Sequence, residues 1–293
     1  MQRVAEAVSY GAVTVVNAMA TGMGAALGVG LCTKARVTIT EQAGRISGQN
    51  LTEPRGGNEL IEASVRRVFR RFNVHRLGAH VETSSNIPVA AGLKSSSSAS
   101  NAIILATLRA LGKKVSDLEA VRLGVDASLE AGVTLTGAFD DAYACYFGGL
   151  VVTDNRNRRV LGRFSPKGSL RVLIHVPKQK KYTKDVDPDQ LSGIRPVVAI
   201  AHREALRGNY WYSLTLNGLF YSLALGYDIS PATQAIEAGA VAAGISGKGP
   251  STAAIVPHPK VRDITSVWRR LSGRVIETSV NHRKAHAGLV LAS

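Results

Sequence analysis

The stretch Ile87-Pro88-Val89-Ala90-Ala91-Gly92-Leu93-Lys94-Ser95-Ser96-Ser97-Ser98-Ala99-Ser100 constrains the fold more than any other part of this chain. It has the form Pro-x-x-x-Gly-Leu-x-Ser-Ser, followed by small residues and an apolar run through Leu111. Gly92 permits a tight backbone turn, and the serines fall where a helix begins. A helix N-terminus offers unpaired N–H groups and the positive end of the macrodipole, which together suit phosphate. Small side chains let phosphates reach the backbone, and the hydroxyls can donate to them or hold Mg²⁺. The segment reads as a nucleotide cradle built without a Walker lysine. A Ser-rich linker and a plain helix cap are the competing readings. The strand-like run Ala79-His80-Val81-Glu82-Thr83 ahead and the apolar helix behind argue against a linker, and four serines exceed the needs of one cap.

A helix and a strand on either side of such a loop need a core, and 293 residues with 45% hydrophobic and 19% charged side chains can build one large domain or two ordinary ones. Cys32 and Cys145 stand far apart in apolar surroundings, with neither zinc spacing nor a disulfide framework. Buried thiols in a reducing cytoplasm are the expectation. Residues 12–31 are rich in small apolar side chains, but Asn17, Thr21 and several glycines interrupt them. That stretch reads as strand, loop, strand, and no membrane association is expected. The net charge of +15 brings nucleic acid into consideration. The arginines and lysines are scattered, however: Arg66, Arg67, Arg70 and Arg71 on one helix, Arg156, Arg158 and Arg159 in a turn, Lys178, Lys180 and Lys181 in a loop. Aromatic residues make up only 5%, too few for a base-stacking platform, so no nucleic-acid partner is expected.

Periodicity predicts an amphipathic helix over 58–72, a buried helix over 99–111 and a third opened by the capping box Ser116-Asp117-Leu118-Glu119 and running to about Glu130. Residues 143–153 read as strands split by Gly148-Gly149. The turn 154–159 is the expected boundary between two units, 1–155 and 156–293. Beyond it come a strand at 170–176, helices near 196–206, 211–225 and after Ser230-Pro231, a strand at 251–256, a helix at 261–271 and a strand at 274–280. Strands and helices mix without regular alternation, which predicts an α+β fold in two lobes.

Two further loops hold candidate chemistry. Gly137-Ala138-Phe139-Asp140-Asp141-Ala142 sets adjacent carboxylates in a Gly-bounded loop. In extended backbone one would face a site while the other caps or pairs, and a purely structural Asx turn is the alternative. Gly244-Ile245-Ser246-Gly247-Lys248-Gly249-Pro250-Ser251-Thr252 is a second Gly-rich loop. It lacks the spacing and the Ser/Thr of a Walker A motif. The histidines show no metal-ligand spacing, and no Gly-x-Ser-x-Gly elbow occurs.

In this order, the loop around Asn17, the segment 88–99 and the loop 244–252 resemble the three signature motifs of the GHMP small-molecule kinases, over essentially the whole chain. Within that superfamily, 92–98, 136–142 and 16–22 are most similar to the archaeal-type shikimate kinases. The resemblance implies a ribosomal-S5-like N-terminal lobe and a ferredoxin-like C-terminal lobe. It implies phosphorylation of the 3-hydroxyl of shikimate by ATP with Mg²⁺; homoserine or a mevalonate-type alcohol is the alternative acceptor. A non-catalytic basic nucleic-acid-binding module is the remote one. Carried over by position, Pro88, Val89, Ala90, Ala91, Gly92, Leu93, Lys94, Ser95, Ser96, Ser97 and Ser98 would cradle the phosphates, with Gly247 and Gly249 closing over them. Ser96 and Glu130 would hold Mg²⁺, and Asn17 and Thr21 would contact substrate. Asp140 would stand at the acceptor hydroxyl, with Asp141 as its rival. Lys94 occupies a position where many superfamily members have Gly.

Overall fold

Two antiparallel-rich sheets organise the chain. The computed structural model describes residues 3–54, 57–134, 137–178 and 188–290. Thr136, Lys180 and Lys181 lie outside these. The long strands β1 (Arg3–Val16) and β2 (Met23–Thr40) pair antiparallel, and the loop holding Asn17 joins them. There follow β3 (Ile46–Asn50), α1 (Glu59–Arg71), β4 (Gly78–Ser85), α2 (Ser95–Ala110), α3 (Asp117–Glu130), α4 (Phe139–Phe147), β5 (Leu150–Asp154) and β6 (Arg159–Phe164). The second half contributes β7 (Leu170–Val176), α5 (Pro188–Ser192), α6 (Arg195–Leu206), α7 (Tyr210–Ala224), α8 (Ser230–Glu237), β8 (Ala242–Ile245), β9 (Thr252–Pro257), α9 (Val261–Trp268), β10 (Arg274–Ser279) and β11 (His286–Leu289).

The first sheet runs β11-β1-β2-β4-β3, with β5 also on β2 and β6 on β5. The second has the order β10-β7-β9-β8, every neighbour antiparallel. Helices α1 to α4 gather against the first sheet. α2 is buried nearly all round, with Ala102, Ile103, Ile104 and Ala106 fully enclosed, while α1 is amphipathic and buries Ile61, Val65, Val68 and Phe69. A second apolar cluster joins Val13, Val15, Leu27 and Val29 of the first sheet to Val172, Ile174 and Ile255 of the second through Leu214 and Tyr221 of α7. Burial thus fixes how the two sheets stand to each other.

Three expectations change. Residues 139–147 form a helix where a loop to 142 and strand from 143 were expected, because Phe139, Ala142, Tyr143 and Tyr146 line one buried stripe at helical spacing. The turn at 154–159 is the hairpin between β5 and β6, hydrogen-bonded within one sheet, and is no linker. The Gly-rich loop 246–251 follows a short strand, β8, where a helix was expected before it.

α7 crosses β8 at very close range. A Cβ on Gly218 would run into the Cα of Gly244. Gly218→Val should therefore cost about 1–3 kcal/mol by overpacking. The expected result is a lower urea midpoint at unchanged m-value, with the far-UV spectrum intact.

Candidate active site

The segment before α2 alternates in hand. Ala90 (φ 56°), Gly92 (φ 74°) and Lys94 (φ 66°) take left-handed backbone, two of them without being glycine. Such alternation gathers successive N–H groups into an anion-binding concavity. Lys94 is the N-cap of α2 and gives its first turn no side-chain hydrogen bond. The exposed helix end is therefore left to attract negative charge. Ser95 and Ser96 are half-buried, and their hydroxyls have no partner among the described residues. Ser98, expected in the cradle, faces the core instead: it is fully buried and its hydroxyl donates to the Ser9 carbonyl.

The third loop is clasped to the second. Ser246 Oγ donates to the Gly92 carbonyl (2.8 Å) and accepts from Thr14 N (3.1 Å). Gly247 N donates to Thr14 Oγ1 (2.8 Å), and the Lys248 carbonyl accepts from Tyr227 Oη (2.9 Å). Gly92 is obligatory twice over, since its φ disfavours a side chain and a Cβ would collide with the Ser246 carbonyl.

Both acids lie in the first turn of α4, about 100° apart around the helix, so they serve different partners. Asp140 (4% exposed) accepts from Asn155 Nδ2 (2.7 Å) and donates its own N–H to Asn155 Oδ1 (3.1 Å). Its other oxygen packs over Gly24, where a Cβ would displace it. Asp141 Oδ2 pairs with Lys94 Nζ at 3.1 Å, both side chains nearly enclosed, and its Oδ1 is buried with no hydrogen-bond partner. Burial raises both carboxyls. Lys94 draws each back down, and Asp140 pushes Asp141 further up, leaving Asp141 at about 7. Two acids against one lysine leave a negative excess that a hydroxyl proton or a cation can relieve.

Other expected residues have different duties. Asn17 is buried, with Nδ2 donating to the Gly247 carbonyl (2.9 Å) and Oδ1 accepting from Met19 N (3.0 Å). It struts the first loop against the third. Thr21 closes a local turn with Met23 through Oγ1. α3 runs back along α2, Gly124 resting on Ser100 and Asn101, so its last turn returns toward the serines. Glu130 at that end is nonetheless held by Arg67 Nε (2.7 Å) and Arg70 Nη1 (3.2 Å) of α1. Both arginines compete with a metal for that carboxylate.

Sequence reading missed Asn155 and Tyr221, and it gave Ser246 no role beyond its place in the Gly-rich loop. The Tyr221 hydroxyl donates to the Asn17 carbonyl (3.0 Å) and accepts from Ala20 N (2.9 Å). Asn155 sat in an evident turn, where Asn needs no other explanation. Tyr221 lay on an apolar helix with no local cue.

Residues 59–149 match the family model described as the GHMP kinases N terminal domain. A shikimate kinase of Methanosarcina mazei is 44% identical over 95% of each chain. One of Pyrococcus furiosus is 44% identical over 92% of this chain and 96% of its own. Among solved structures, a homoserine kinase from Cytophaga hutchinsonii superposes with a TM-score of 0.77 at 18% identity, over 99% of this chain and 98% of the other.

The clasp makes a prediction. Gly92→Ala should abolish ATP binding measured by calorimetry while the circular dichroism spectrum stays native. Undiminished binding would remove Gly92 from the phosphate site.

Proposed function

The chain belongs to the archaeal-type shikimate kinases of the GHMP kinase family, and on that footing we propose that it transfers the γ-phosphoryl group of ATP to the 3-hydroxyl of shikimate. The observation that carries this reading is the Lys94–Asp141 pair at the foot of α2, with its unpartnered carboxylate oxygen. A buried oxygen of that kind calls for a hydrogen-bond donor, and an acceptor hydroxyl supplies one.

The backbone N–H groups of 90–96 and the N-terminus of α2 hold the phosphates, and the third loop covers them. Lys94 offsets charge on the transferred group and on Asp141 at once. As the acceptor oxygen bonds to the γ-phosphorus and the bond to the ADP oxygen breaks, the hydroxyl proton passes to Asp141 Oδ1. Asp140, which sequence alone favoured for that role, is committed to Asn155 and to the floor at Gly24, so it anchors α4 instead.

Magnesium fits the donors present, which are hard oxygens: the free hydroxyls of Ser95 and Ser96. Ser96 would hold the ion. When bound, it supplies neutralisation of the β- and γ-phosphate charge. Among the described residues no cluster of three or more His, Cys, Asp or Glu side chains is placed to hold a metal. That suits an ion carried mainly by phosphate and water.

The direct test is coupled ADP release across acceptors, with turnover expected on shikimate and not on homoserine or mevalonate. Turnover on either of those, with shikimate inert, would refute the substrate assignment.

Asp141→Asn should lower kcat about 10²–10⁴-fold, while Asp140→Asn is milder. Because the ionised form of Asp141 takes the proton, kcat/KM should rise with pH to about 7 and then level. Asp141→Asn should flatten that limb. An unchanged limb in the variant would assign the titration to another group.

A further inference from the structure

We propose that Arg156 recognises the carboxylate of the acceptor, and so selects an anionic ring alcohol; this rests on the shikimate kinase reading above. Arg156 follows Asn155 in the β5–β6 hairpin, and Asn155 is pinned on two sides. Its side chain grips Asp140 in both directions, and its N–H donates to the Gly22 carbonyl (2.9 Å). The backbone that carries Arg156 is therefore fixed against both α4 and the loop leading into β2.

The side chain is placed as tightly. Its Cγ, Cδ and Nε lie over Gly22, where any Cβ would collide with them. Two residues on, the same stretch of chain leaves room over Gly24 for the Asp140 carboxylate, again where a Cβ would collide. Gly22 and Gly24 are at most about 7 Å apart along the chain. Two adjoining bare patches of one loop thus carry an arginine stem on one and the acid turn of α4 on the other.

The charges around it leave the guanidinium unused. Arg158 pairs with Asp126 (2.8 Å), and Arg163 lies over the rings of Tyr143 and Phe147. Lys94 is paired with Asp141. Asp154, the acid nearest in sequence, is occupied by Asn157 N and Nδ2. The Arg156 guanidinium makes no ion pair or side-chain hydrogen bond among the described residues, and the residue is exposed. Lys248 also has no ion pair among the described residues, but it sits on the loop that covers Gly92, on the phosphate side. In shikimate the carboxylate stands two ring positions from the hydroxyl that is phosphorylated. With that hydroxyl at Asp141, a cation to one side of the acid turn is what the carboxylate requires, and a guanidinium fork can take it with two hydrogen bonds.

The test compares wild type, Arg156→Ala and Arg156→Lys on two acceptors at saturating ATP. One acceptor is shikimate; the other is its analogue with the carboxylate reduced to CH₂OH. Arg156→Ala should raise KM for shikimate by about 10–100-fold, the range for losing a hydrogen bond to a charged group. KM for ATP and the thermal midpoint should not move. With the alcohol, wild type and Arg156→Ala should perform alike, and Arg156→Lys should fall between them on shikimate. An Arg156→Ala loss of equal size on both acceptors, or no loss on shikimate, overturns the assignment of Arg156 and leaves shikimate as substrate. Wild type inert toward shikimate overturns the substrate reading and this assignment with it.

Discussion

The hydroxyl of Ser246 holds the molecule's working parts together. By donating to Gly92 and accepting from Thr14, it fastens the end of the second sheet to the phosphate loop and to β1 in one group. Asn17 repeats the tie through Gly247, and Tyr221 repeats it from α7. The side chains of Ser246, Asn17 and Tyr221 are all buried, so losing one of these bonds would leave a polar group unsatisfied at a cost of about 1–3 kcal/mol. The cradle is shaped by its cover as much as by its own backbone. That explains how Ala90 and Lys94 are kept in left-handed conformations that an isolated loop would leave.

The role proposed for Asp141 works against stability. Burial raises the carboxyl of Asp141 to about 7 in the folded chain, against about 4 for an unfolded aspartate. A folded-state value above the unfolded one means that folding favours the protonated acid. The stabilisation is complete below the unfolded value and is lost as pH rises toward 7. At neutral pH, where the proposed base has to be ionised, the fold carries that cost. Lys94 reduces it without removing it. The surface charge follows another logic: much of the basic excess on α1 is spent on Glu62 within that helix and on Glu119 and Glu130 of α3, which staple the two helices together.

Sequence disclosed what local chemistry dictates. Gly92 with the serines, the Gly-rich loop before Ser251 and the capping box at Ser116 each announce a backbone conformation without help from distant residues, and each lies where it was expected. α4 escaped because Tyr143, Cys145, Tyr146 and Phe147 suit a strand as well as a helix over so short a run. That error carried into the acids. Extended backbone points neighbours to opposite sides, whereas the helix turns Asp140 toward Asn155 and Asp141 toward Lys94. Glu130 has the right chemistry for a metal, and only tertiary structure reveals two arginines already upon it. Asn155 and Tyr221 act across 15 and 204 residues of chain, distances at which periodicity is silent.

The pairing of β11 with β1 has a temporal side. Ala5 lies opposite Leu289 and Val8 opposite His286, so the edge of the first sheet is closed by a strand that follows the whole of the second sheet in sequence. During synthesis β1 can pair with β2 as soon as both have emerged, but its other edge stays open until β11 has emerged. An open edge of a long strand is a template for unwanted pairing. Contacts this remote in sequence also slow the final closure. The nascent chain therefore passes through a stage in which helices α1 to α4 can already be packed while one row of backbone donors and acceptors waits, and the length of that stage is set by translation.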